Sequence, residues 1–340
     1  MNSEPKLTSY NFARFSDFVF AETVTHQQFQ ELNIDTKYII EKNSYQITYK
    51  LDYLEICENN VVFCNSNYIN DLFYLMRKVK NLNNIKLITH QTDLLINKKL
   101  FEKKPEMISE WYSINVGFKN DRLIPIPIGL ANDYSPKNVK ESEINKFDLS
   151  KKEAKLYINF NSNTNKKFRS GLYNVFKNYS WTIVKDFNLE IEEYKNDLGK
   201  YTFVLAPWGN GIDTHRFWEA IYSGSIPITK YHLTYNSAEN LPVFFVENLS
   251  SLKEVDLENF LINSSNTDYN YEKLNILYWI ELINKSKIES KEYAFIKFTK
   301  FTENYFKTKH SIVKYFESKS KKIKYFIIYP IRIFKKLTLN

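Results

Sequence analysis

Glycine and cysteine are scarce in this chain, with seven and two residues in 340. Cys57 and Cys64 are its only cysteines. Two thiols seven residues apart supply neither a disulfide framework nor, alone, a four-ligand zinc site. They suit a reducing compartment, as small buried hydrophobes. No apolar run reaches the roughly 18 residues of a spanning helix. The opening MNSEPKLTSY has no signal-peptide core, so a cytoplasmic protein is expected. Excess charge is also missing from most of the chain. The total is +8, but the 22 residues Lys319–Asn340 hold seven Lys/Arg and no acid, leaving +1 for the rest. A near-neutral body argues against nucleic acid as a partner.

What is present is an alternation of short apolar runs with amphipathic ones. The length of 340 residues suits two domains, and 43% apolar with 25% charged residues belongs to a folded chain. Residues 17–22, 37–40, 46–50, 61–64 and 85–89 read as strands, and Asn70 to Val79 as a helix. Arg122 to Leu130, RLIPIPIGL, carries two prolines and is expected to be a sheet edge or an exit into a loop. Residues 132–153 are polar without period and mark a boundary. This sets an N-terminal domain at 1–145 against a second at 151–290. The second runs strand 155–160, helix 168–178, strand 181–184, helix 190–199 and strand 202–206, with further helices at 251–263, 271–285 and 288–317. Residues 291–318 make a C-terminal helical segment and 319–340 a basic aromatic tail. Strand–helix alternation implies α/β architecture with parallel sheets and function at the carboxyl ends of the strands.

Three of the seven glycines fall in Phe203 to Thr229, FVLAPWGNGIDTHRFWEAIYSGSIPIT. The order is strand, Gly/Asn/Asp loop, helix, Gly stop, strand. Gly209, Asn210 and Gly211 break the strand and permit close backbone approach. Asp213 or Thr214 is a natural N-cap for a helix from His215 to Ser223, with Gly224 past its end. Arg216 sits in the first turn, where the helix dipole opposes a cation, so an anion or a buried carboxylate is expected beside it. Glu219 shares its face and could accept bonds from sugar hydroxyls; alternatively Arg216 and Glu219 simply pair.

The segment resembles the donor-binding segment of exostosin-like glycosyltransferases, through Pro207, Gly209, Gly211, Arg216, Glu219, Ala220, Gly224 and Ile226-Pro227-Ile228. LYINFNSNTNKKFR, ending in Arg169, fits the first strand of such a donor domain. ITHQTD and IPIPIGL fit the N-terminal half more loosely; Gln91 and Thr92 depart conservatively from the pattern of similar bacterial proteins. The resemblance covers about residues 85–245. It implies a GT-B fold, with two Rossmann-like domains facing a cleft. A nucleotide-sugar donor would lie against Gly209, Asn210, Gly211, Asp213, Thr214, His215, Arg216, Glu219 and Arg169. Such enzymes usually need no metal, in keeping with the lack of a tight Asp-x-Asp motif, and no cofactor is implied.

The acceptor, a glycan or lipid-linked glycan, needs a base. His90 and Asp93 at a strand end are the first candidates and Asn132 and Asp133 weaker ones. The tail could lie on an anionic leaflet, making the protein peripheral to the membrane, or pack as a helix with solvated lysines. The function expected is sugar transfer in cell-surface polysaccharide synthesis. A fucosyltransferase-like enzyme using GDP-fucose and a non-catalytic nucleotide- or sugar-binding module are the rivals.

Overall fold

A computed structural model describes residues 4–33, 37–146, 152–285, 292–309, 311, 312 and 315. The chain divides into two compact units, Met1–Phe295 and a second from Ile296 on. Both predicted domains, 1–145 and 151–290, lie within the first unit.

The N-terminal sheet comprises β1 (Phe18–Val24), β2 (Lys37–Lys42), β3 (Ile47–Leu51), β5 (Val61–Asn65), β6 (Ile85–His90), β7 (Ile108–Ser113) and β8 (Leu123–Pro125), with β4 (Tyr53–Cys57) outside it. Its order is β2-β3-β1-β5-β6-β7-β8. The run from β1 to β8 is parallel, and β3 and β2 are antiparallel beyond β1. β5 and β6 are buried at every residue, as strands covered on both faces must be. Pro125 closes β8 at the sheet edge, where a missing N–H costs no ladder bond. The helices of this half are α1 (Ser9–Arg14), α2 (His26–Glu31), α3 (Ile69–Met76) and α4 (Lys98–Phe101).

The second sheet holds β9 (Glu153–Ile158), β10 (Thr182–Val184), β11 (Tyr201–Leu205), β12 (Ile226–Thr229) and β13 (Phe244–Phe245), all parallel, in the order β10-β9-β11-β12-β13. The chain steps from β9 to one side and later to the other. Strand order therefore reverses between β9 and β11, and their carboxyl ends open a crevice there. Its helices are α5 (Lys166–Arg169), α6 (Leu172–Phe176), α7 (Ile191–Lys200), α8 (His215–Tyr222), α9 (Glu254–Ser264) and α10 (Ile276–Asn284). Gly171, at φ +86°, splits the helix predicted over 168–178 into α5 and α6.

One hydrophobic cluster runs through both halves, from Phe63, Ile88 and Ile126 to Tyr157, Val204, Phe217 and Trp218. α10 joins it through Ile276, Trp279 and Ile283, and Lys86 of β6 donates to the Ile283 carbonyl. The polar stretch read as a boundary is a docked strap over its described part. Val139 and Ile144 are buried in that cluster.

One predicted feature is corrected in part. Residues 288–317 were expected to be helical, yet Tyr293–Lys297 is a strand with alternating burial; beyond it the described residues 300–309, 311, 312 and 315 are helical. The alternation of Tyr293, Phe295 and Lys297 has the period of a strand, not of a helix. The basic tail 319–340 lies outside the described residues. Among the described residues no helix is long and apolar enough to cross a membrane.

Candidate functional site

The strand–loop–helix segment folds as its residues dictate. β11 ends at Leu205, and Pro207 begins a loop that runs to Thr214, the N-cap of α8. At the other end Gly224 takes φ +72°, and the Ser225 N–H bonds back to the Ala220 carbonyl at 2.8 Å, closing the helix on a left-handed glycine.

A cleft of about 320 Å³ lies between the halves. Its walls include His90 and Asp93 after β6, Ile128 and Asn132 after β8, and Gly209 to Gly211 with Asp213, Thr214 and His215. Most of the predicted site residues are thus brought together. Their roles differ from residue to residue.

Gly209 and Gly211 do not use positive φ; among the described glycines only Gly129, Gly171 and Gly224 do. Gly211 is closely packed by side-chain tips. A Cβ there would stand 2.9 Å from Asp93 Oδ1 and 3.0 Å from Asn115 Nδ2. Asn115, buried just past β7, accepts the Ile212 and Asp213 N–H groups at 2.9 and 3.2 Å. It ties the loop to the N-terminal half, and sequence reasoning missed it because a lone Asn past a strand carries no signal.

Asp213 is a second tie. Its buried carboxylate accepts from the N–H groups of Ile128 (2.8 Å) and Thr214 (2.9 Å) and from Trp218 Nε1 (2.9 and 3.0 Å). Burial pushes its carboxyl up to about 7, against those donors, which pull it down. With its oxygens so occupied, Asp213 holds the loop rather than a ligand.

Arg169 is likewise a scaffold residue. It is 7% exposed, and its guanidinium donates to the carbonyls of Trp208 (2.9 Å), Pro207 (2.8 Å) and Asn161 (3.0 Å) and to Thr164 Oγ1 (2.7 Å). Asn165 adds a bond to the Gly209 carbonyl at 2.7 Å. The loops after β9 and β11 are therefore stitched together across the crevice. Burial first, then the nearby Arg216, lower the Arg169 pKa to about 10.

Glu219 is corrected from a ligand-facing role. It is 1% exposed and accepts from Tyr194 OH (2.7 Å), Asn138 Nδ2 (2.9 Å) and the Val139 N–H (3.2 Å). The direct Arg216–Glu219 pair is not formed either. Arg216 Nη1 donates to Tyr194 OH at 3.0 Å, with its guanidinium 4.9 Å from that ring, so a tyrosine stands between the two. Arg216 is only partly buried, and among the described residues neither it nor Arg169 has a carboxylate partner in an ion pair.

His90 is 1% exposed, between the rings of Phe12 and Phe63. Its Nδ1 accepts the Gln91 N–H at 2.8 Å, and Nε2 has no partner at hydrogen-bonding geometry. Burial, with His215 nearby, drops its pKa to about 3. It forms part of the wall without being open to a substrate. Gln91, at φ +72°, pins this turn by bonding the Thr23 N–H and carbonyl of β1. Asp93 is exposed to the cleft. Asn132 is buried, bonding Ser9 and Tyr134, while Asp133 is exposed and accepts from Gln28.

His215 is part-exposed on the cleft wall, with Nδ1 2.8 Å from the Gly129 carbonyl. A carbonyl can only accept, so Nδ1 carries the proton and Nε2 the lone pair. Burial lowers its pKa, while the Gly129 bond, Glu219 and Asp93 oppose the shift. Thr214 Oγ1, on the same wall, is buried without a partner.

Among the described residues no group of His, Cys, Asp and Glu could hold a metal. Comparison with models of known protein families and with curated proteins found no match.

Proposed function

We propose that the chain is a glycosyltransferase of exostosin-like type, with GT-B organisation and its nucleotide-sugar donor on the second sheet. The observation that carries this reading is the charge at the strand-order reversal. Arg169 follows β9 and Arg216 follows β11, and among the described residues neither has a carboxylate partner in an ion pair. Arg216 opens α8, whose first N–H groups and dipole also favour an anion. A diphosphate supplies the missing charge. Arg169 has spent its hydrogen bonds on the loops, so its part is long-range charge and loop shape, and Arg216 makes the contact.

The leaving group of sugar transfer is itself a diphosphate, so the same charge would stabilise bond breaking without a metal. The reaction is assigned to cell-surface glycan synthesis at the cytoplasmic side of the membrane, with the tail as the contact to an anionic leaflet. Calorimetry with UDP and GDP tests the donor site. Binding at micromolar Kd that weakens about 10–100-fold in Arg216→Ala supports it, and no binding of either by the intact chain refutes it. Binding of GDP alone would turn the reading toward fucosyl transfer, and binding with no turnover of any sugar nucleotide toward a module without catalysis.

A further inference from the structure

We infer that the cleft between the two sheets seats the reacting hydroxyl of an acceptor that carries no negative charge, and that Nε2 of His215 takes its proton. The inference rests on the donor reading above. It moves the catalytic base from the expected candidates, His90 and Asp93, to His215.

The cleft and the crevice lie against one stretch of chain, the loop from Pro207 to Arg216. Gly209, Asn210, Gly211, Thr214 and His215 face the cleft. Arg169 grips the same loop by the Pro207 and Trp208 carbonyls, and Arg216 continues it beside Tyr194. A donor held by Arg216 and an acceptor in the cleft are therefore neighbours across a single turn of loop.

The two places differ in charge. The cleft is lined by hydroxyl, amide and imidazole groups with no Lys or Arg, and its exposed ionisable group is Asp93. An anionic ligand would meet the Asp93 carboxylate, while the nearby Lys140 ammonium is already turned to the carbonyls of Asn132 and Ser135. A sugar hydroxyl meets donors and acceptors of either kind.

Of the two histidines on the wall, only His215 has a usable nitrogen. The Gly129 carbonyl fixes the proton on Nδ1, leaving Nε2 as a base on a part-exposed ring. Four charged or titratable groups face it. These are Asp93 on the β6 loop, His90 at the β6 end, Lys140 on the strap and Glu219 on its own helix. Lys140 is turned to the carbonyls of Asn132 and Ser135. Asp93 and Glu219 favour the imidazolium that forms on proton uptake, while burial keeps the resting ring neutral.

In the transfer step the acceptor O–H bond breaks and its proton goes to Nε2. The freed electron pair bonds to the anomeric carbon. The bond from that carbon to the diphosphate breaks, and its electron pair leaves on the diphosphate, offset by Arg216.

His215→Asn is the discriminating variant, because its side-chain amide can still donate to the Gly129 carbonyl while the base is gone. Two measurements apply. Diethyl pyrocarbonate, mapped by mass spectrometry on the intact protein, should modify His215 with a midpoint below pH 6.5 and spare His90. An unmodified His215 would overturn the inference. Transfer to water from the UDP- or GDP-sugar that the wild type hydrolyses should fall about 10²–10⁴-fold in kcat in His215→Asn. The Kd for the nucleoside diphosphate should stay unchanged, and the acid limb of the pH profile should vanish. Wild-type kcat in that variant, or a loss confined to donor affinity, overturns the base while leaving the donor reading intact. If the wild type binds neither UDP nor GDP and hydrolyses none of their sugars, the donor reading falls and takes the inference with it, even with His215 modified.

Discussion

Glu219 is where a ligand contact and a structural contact make opposite forecasts. If it held the donor's hydroxyls, Glu219→Ala would weaken binding and leave the melting temperature alone. The geometry requires the reverse. The carboxylate is 1% exposed and accepts from Tyr194 OH, Asn138 Nδ2 and the Val139 N–H at 2.7, 2.9 and 3.2 Å. Hydrogen bonds to a charged group are worth about 1.5–3 kcal/mol each, but burying the carboxylate offsets much of that gain. Leaving donors unsatisfied costs about 1–3 kcal/mol apiece unless water enters the gap. A net loss of about 2–4 kcal/mol follows, which lowers Tm by roughly 3–6 °C at this size. Scanning calorimetry on wild type, Glu219→Ala and Glu219→Gln measures it, with Gln intermediate because it keeps one acceptor oxygen. Nucleoside diphosphate affinity, taken well below each Tm, should change less than about threefold. An unchanged Tm with lost affinity would refute this account and restore Glu219 to the ligand.

Other substitutions separate the remaining roles. Arg216→Ala should lower nucleoside diphosphate affinity about 10–100-fold, the worth of one or two charge-assisted bonds, and shift Tm by no more than a few degrees. Gly129→Ala should prevent stable folding, since φ is +66° and the new Cβ would lie 2.2 Å from the Leu7 carbonyl oxygen; soluble yield and circular dichroism read this out. The Asp213 carboxyl titrates at about 7 folded and about 3.9 unfolded, so it withdraws stability as pH rises between those values. Against Asp213→Asn, the wild type should therefore lose stability from pH 5 to pH 7.5 in urea titrations. Deleting residues 319–340 should abolish binding to anionic liposomes, and a full-length chain that never binds them refutes the membrane contact.

Strands buried on both faces announced themselves as apolar runs, and β1, β5, β6, β9 and β11 lie within a few residues of where such runs fall. β7, ISEWYS, mixes polar and bulky residues with neither an apolar run nor a period of two, so it carries no strand signal, although Trp111 is wholly buried. α8 was legible because cap, amphipathic face and terminal glycine all agreed. What sequence could not supply was the partner of each polar side chain. Glu219 and Arg216 share a helix face, yet Tyr194, 25 positions before Glu219, stands between them. Arg169 looked like a phosphate ligand because an arginine is chemically apt for both phosphates and carbonyls. His90 and His215 carry the same ring. Only the fold buries one and leaves the other a free nitrogen, by way of a carbonyl 86 positions away.

The return of α10 to the N-terminal sheet has a consequence for biosynthesis. Lys86 is 1% exposed within β6, and it meets the Ile283 carbonyl at the end of α10 and Glu110 at 3.7 Å. Until residue 284 has left the ribosome, the first sheet lacks both that acceptor and the apolar cover of Ile276, Trp279 and Ile283. The amino-terminal half emerges first but gains its full stability last, so a chain interrupted before α10 is expected to be a target for chaperones and proteases.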